Sequence, residues 1–133
     1  MNSRFTVTLC WLLISAVSVL AEFRAGVAVR TVNPEPLLPV SGGVGPSHPV
    51  TQRQGDLTVR AVVLSQAETV VAIASGDFLG FPAELGNRVR ALVKEISPSN
   101  ILIGATHTHS APDCYGFPDG KGGTGRDEKY VNQ

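Results

Sequence analysis

The sequence predicts an α/β fold, a mixed sheet in which a β-hairpin is followed by a right-handed βαβ unit. Three observations predict it. Residues 57–64 (LTVRAVVL) and 69–74 (TVVAIA) are β-branched, apolar runs separated by a short polar stretch, which is hairpin spacing. Apolar residues then recur on one helical face over 83–97. A third apolar run, 100–105 (NILIGA), completes strand, helix, strand within one crossover length, so its strand should lie parallel to 69–74.

The first 21 residues read as a targeting signal. One positive charge at Arg4 precedes an apolar stretch over 5–20, diluted by Thr6, Thr8, Ser15 and Ser18, and Val19-Leu20-Ala21 suits cleavage after Ala21. The uninterrupted apolar core, 9–14, is short against the ~20 residues of a membrane span. Export to a secreted or periplasmic location with cleavage is therefore preferred to a retained anchor, and residues 22–133 form the mature segment. Cys10 would leave with the signal. Cys114 would then have no internal disulfide partner, so stability must come from a core. Eleven acidic and eleven basic residues balance, and no basic patch points to nucleic acid.

Along the mature segment, 25–32 (AGVAVRTV) alternates as a strand does, and Asn33-Pro34-Glu35-Pro36 stops it because proline cannot donate to a ladder. Residues 37–56 are rich in Pro, Gly, Ser and Gln. A loop of that length is expected to be functional or held by something else. The strand over 69–74 is apolar on both faces, as for a strand covered on two sides. Pro82 stands where helices favour their first residue. Leu85, Val89, Leu92, Val93 and Ile96 then line one helical face, and Ser97-Pro98 ends it. Residues 113–126 are loop, with five glycines. The run 116–121 is not a phosphate loop, being one residue short with Gly122 in place of the hydroxyl residue. Residues 126–133 read as the beginning of a helix.

This arrangement sets Asp77 and His107 just after the carboxyl ends of two parallel strands, the edge where open α/β sheets bind ligands. Thr106-His107-Thr108-His109-Ser110 is the informative segment. Two histidines at i and i+2 on an extended chain point the same way and can converge on one metal ion or one substrate. The plainer alternative is a pair of polar loop residues, which their position after a buried strand makes less attractive. A catalytic zinc needs three or more protein ligands and an open position. Asp77 is the best-placed carboxylate. It would orient a histidine through its second nitrogen, or else cap the following helix. His48, beside Pro49, reads as a solvated turn residue. Ser110 adjoins His109, but neighbours in sequence seldom have nucleophile–base geometry. Cys114 either is a partly buried thiol or pairs with something outside this segment, with a soft metal ligand the weaker alternative.

Several segments together resemble the neutral/alkaline, non-lysosomal ceramidases. In order they are Gly26 and its strand with the Val32-Asn33-Pro34 stop, Val40-Ser41-Gly42-Gly43, Val59-Arg60-Ala61-Val62-Val63-Leu64, Ser75-Gly76-Asp77, and Ala105-Thr106-His107-Thr108-His109-Ser110-Ala111-Pro112. The resemblance covers about 24–133 and only the amino-terminal part of that much longer catalytic domain. It implies Zn²⁺ as cofactor, His107 as a zinc ligand, and His109 facing the substrate carbonyl or supporting the site. It also implies hydrolysis of the amide of ceramide or a related lipid amide by a serine activated at the metal, with contact to a membrane surface through that substrate. The other zinc ligands and the serine would lie beyond Gln133, so residues 1–133 alone are expected to be inactive. Two departures stand out. Thr31-Val32-Asn33-Pro34 replaces a frequent Asp-Ile-Thr-Pro, removing an acidic group near the site, and Ala111 replaces a frequent glycine. The competing readings are another metallohydrolase built on the His-x-His pair and a non-catalytic exported α/β module. Nothing in the sequence points to an oligomeric state.

Overall fold

A computed structural model describes residues 22–43 and 45–133; the expected signal segment, with Cys10, lies outside them. Four strands form one mixed sheet in the order β1-β2-β3-β4: β1 (Phe23–Thr31), β2 (Thr58–Gln66), β3 (Thr69–Gly76) and β4 (Ile101–Ala105). β1 pairs antiparallel with β2, and β2 with β3 through a tight turn at Ala67 and Glu68. Ala67 takes φ 49° there, the left-handed region that a two-residue hairpin turn requires. β3 and β4 are parallel, with Gly76 opposite Ala105, and α1 (Ala83–Leu92) connects them. The hairpin followed by a βαβ unit is therefore present.

α1 is shorter than the apolar spacing predicts. Its last helical residue is Leu92, and Val93 is already extended at φ −85°, ψ 104°. Only Leu85 and Gly86 are buried on it, and Leu92 is 79% exposed. A helix of three turns with so little packing has little to hold its final turn, and Pro98 forces Ser97 into the extended region just beyond. A 3₁₀ turn at Pro98–Asn100 then leads into β4. Pro82 immediately precedes the first helical residue and makes no side-chain cap. A four-residue helix, α2 (Glu128–Val131), closes the described chain, capped by the Asp127 carboxylate, which accepts from Tyr130 N–H at 2.7 Å.

Two sequence expectations about coverage are corrected. β3 is not enclosed on both faces: Ile73 is 40% exposed and most of its neighbours are only half-buried. β4 is not a buried strand either. It is an edge, with Ile101 buried but Leu102 61% exposed. The side-chain pattern expresses what the strands can bury, while the actual burial depends on which layers pack against them. Here the core lies at one end of the sheet. Phe78, Leu85, Ala111, Cys114 and Tyr130 form it, with Val32, Leu38, Leu57, Val59, Phe81, Ala105 and Val131 packed around.

That end is where β1, β3 and β4 finish and β2 begins, since Thr31 pairs with Thr58 and Gly76 with Ala105. Both long connections, 32–57 and 106–127, therefore fold over the carboxyl edge. The first is tied down by a small ladder: Val40 and His48 exchange backbone hydrogen bonds of 2.8 Å each, and Ser41 N–H donates to the Ala111 carbonyl at 2.9 Å. The loop expected to be held by something else is held by the segment that follows β4. Tyr130 adds the longest-range tie, donating its hydroxyl to the Val32 carbonyl at 2.7 Å. Among the described residues no helix is long and apolar enough to cross a membrane.

Candidate functional site

β4 ends at Ala105, and Thr106 N–H still bonds the Gly76 carbonyl at 2.9 Å. The chain then turns sharply. His107 has φ 62°, unusual for a residue with a side chain and worth attention at the ligand edge of a sheet. The histidines thus do not converge as alternate residues of an extended strand, as expected from sequence; the turn at His107 brings them together. Their ring centroids are 5.4 Å apart at an interplanar angle of 73°, and both residues are exposed. Imidazole nitrogens ~2.0–2.1 Å from a tetrahedral ion set their ring centroids about 5 Å apart. The pair is spaced for one small cation, or for a cation on one ring and a ligand atom on the other.

His107 is also oriented. Its Nδ1 lies 2.6 Å from the Leu79 carbonyl oxygen. A carbonyl only accepts, so Nδ1 carries the proton in this contact and the lone pair of the neutral ring sits on Nε2. A ligating histidine characteristically donates its other N–H in this way, which fixes the ring and makes it more basic. The sequence reading assigned the orienting task to Asp77. The structure gives it to a backbone carbonyl two residues later, a partner invisible in side-chain identity.

Asp77 is engaged elsewhere. Its Oδ2 accepts from Thr58 N–H at 2.9 Å and from Thr58 Oγ1 at 2.8 Å. Its Oδ1 accepts from Thr106 Oγ1 at 3.2 Å and lies 3.5 Å from Arg60. The two Thr58 hydrogen bonds, more than any other partner, hold its carboxyl below the ordinary carboxylate range. Nor does it cap α1. It ties the start of β2 to the ends of β3 and β4, and through Thr106 sets where the histidine segment begins.

The segment 107–110 forms a ridge between two depressions. His107 and His109 line a cleft of about 540 Å³ with Gly42, Leu79 and Phe117. Thr108 and Ser110 line a second groove of about 460 Å³, whose walls include Leu37, Leu38, Val50 and Asp77. Ser110 is therefore on the opposite side of the ridge from the imidazoles. His48 is exposed and pairs through its backbone with Val40. Cys114 is 5% exposed within the core, and burial pushes its thiol up to about 11. It packs with Phe78, Leu85, Ala111 and Tyr130 and does not line the cleft that holds the two imidazoles.

Sequence reading missed Asp113, which is 1% exposed. Its carboxylate accepts from three successive backbone N–H groups: Tyr115 at 2.7 Å, Gly116 at 3.1 Å and Phe117 at 2.6 Å. This shapes the loop that delivers Phe117 to the histidine cleft. The signal was available in Pro112-Asp113 ahead of Gly116, an aspartate placed to bond its own downstream backbone. Among the described residues, no group of three or more His, Cys, Asp or Glu side chains is arranged to hold a metal ion. The residues present fit part of a zinc site, two imidazoles with one held in a ligating tautomer.

Neither family models nor curated proteins match this chain. Its chemistry rests on the geometry of the site.

Proposed function

We propose that this chain provides the histidine-bearing edge of an exported zinc-dependent amide hydrolase of the neutral ceramidase type, acting on a lipid amide. One observation carries the reading. His107, in a left-handed backbone conformation, donates a hydrogen bond from Nδ1–H to the Leu79 carbonyl and keeps Nε2 available in a cleft shared with His109. His107 would hold the metal. His109, beside it, would hydrogen-bond the oxygen of the scissile carbonyl and steady the charge that develops there. Zinc, when bound, would act as a Lewis acid and lower the pKa of the group it binds. Leu79 fixes the ring of His107, and Asp77 fixes the strand ends from which the segment departs. His107 alone is fewer than the three ligands a catalytic zinc takes, and the resemblance implies further ligands and a nucleophilic serine besides.

The test uses the full-length protein, measuring bound zinc and hydrolysis of a short-chain N-acyl sphingosine. His107→Ala should lose most of its zinc and its activity together. His109→Ala should keep zinc and lose turnover by roughly 10²–10³-fold, the scale of removing one donor to a developing oxyanion. Undiminished zinc in His107→Ala would remove His107 from the site, and loss of zinc in His109→Ala would make His109 a ligand instead.

A further inference from the structure

The loop between β1 and β2 meets the site at one residue. Gly42 has φ +122°, a region that residues with a side chain rarely enter. A Cβ added there would lie 2.5 Å from Cγ, 2.8 Å from Cδ2 and 2.9 Å from Cβ of His109. All three atoms belong to the side chain whose ring stands 5.4 Å from that of His107. Gly45 provides an internal control. Its φ is also positive, +102°, but nothing lies within 4 Å of an added Cβ. Both glycines use their backbone freedom, and only Gly42 also uses its missing side chain. The backbone at Gly42 is not free to retreat. Ser41, 4% exposed, is bonded to the Ala111 carbonyl, and Val40 is paired with His48. The Ala111 tie belongs to the same segment that carries His109, so wall and ring are fixed to one another over a few residues.

We propose that Gly42 is the positioning residue for His109. Its bare Cα is the wall against which the imidazole is set, and any side chain there displaces the ring from His107. The importance of His109 to chemistry rests on the reading above; the steric relation between Gly42 and His109 does not.

Gly42→Ala and Gly45→Ala are compared in the wild-type chain and in a His109→Gly background, by thermal unfolding and by the nuclear Overhauser contact between the two imidazole rings. Gly42→Ala should lower Tm by several degrees more than Gly45→Ala. It should weaken or abolish the ring-to-ring contact, which Gly45→Ala should retain. The excess loss in Tm should disappear once the whole His109 side chain, Cβ included, is removed, because only backbone strain then remains. If Gly42→Ala does not fold, Gly42→Ala/His109→Gly should still fold about as stably as Gly45→Ala/His109→Gly. An excess that persists without the ring, or an unchanged ring contact in Gly42→Ala, would overturn the assignment. These measurements need no metal. A failure of zinc binding in the His107 experiment would thus leave this result standing, and the reverse also holds.

Discussion

The sheet and the loops at its carboxyl edge divide the usual roles in an unexpected way. All nine residues of β1 are exposed, and Val27, an ideal core residue by type, is 84% exposed. The irregular segment after β4 contains some of the most deeply buried residues described: Ala111 at 0%, Asp113 at 1% and Cys114 at 5%. Regular elements ordinarily bury and loops ordinarily face water. Here the strands act as a frame, and the tight packing sits beneath the edge that carries the histidines. Immobile imidazoles need a rigid platform, and the placement of the core provides one where it is needed.

The sharpest way to break this contrast is Asp113→Ala. It would leave three buried or half-buried backbone N–H groups without their charged acceptor. The expected cost is roughly 3 kcal/mol or more in chemical denaturation, at 1.5–3 kcal/mol for a single hydrogen bond to a charged group. A loss under about 1 kcal/mol would show that the loop does not depend on that carboxylate.

Asp77 gives a smaller effect, confined to acid. Its carboxyl titrates below the ordinary range in the folded chain, mainly because Thr58 bonds its charged form. The unfolded chain therefore takes up the proton first as pH falls. The stability Asp77 contributes is present above about pH 4 and is lost as pH drops through the lower folded-state value. Denaturation midpoints followed from pH 6 to pH 2 should show a steeper acid limb for the wild type than for Asp77→Asn. Identical limbs would mean the Thr58 contacts do not persist in solution.

The smallest expected effect sharpens the other half of the contrast. Val27→Thr on the open face of β1 should change stability by no more than about 0.5 kcal/mol, as exposed substitutions do. A loss above about 1.5 kcal/mol would show that the β1 face is covered in solution.

The frame was legible in the sequence and the platform only in part. Val59, Val62, Val70 and Val71 announce strands by type, and Gly76 and Ala105 do close parallel neighbours, so the ligand edge could be located from spacing alone. The helix end at Leu92 is not legible in the sequence, because the periodicity of Val93 and Ile96 carries no information about whether anything packs against them. The two histidines were legible as a pair, but not what holds them. The Leu79 carbonyl that orients His107 is a backbone atom, the turn at His107 is a single φ angle, and the contact between Gly42 and His109 joins positions far apart in the chain. Backbone partners and long-range contacts leave no mark on residue identity.

Nitrogen-detected NMR of the imidazoles in the metal-free full-length protein, with Zn²⁺ added stepwise, reads His107 directly. The free chain should show His107 protonated at Nδ1, and zinc should shift its Nε2 resonance while the Nδ1 proton stays bonded to Leu79. A ring protonated at Nε2, or one that zinc leaves unmoved, would contradict the assignment of His107 as the metal-holding group.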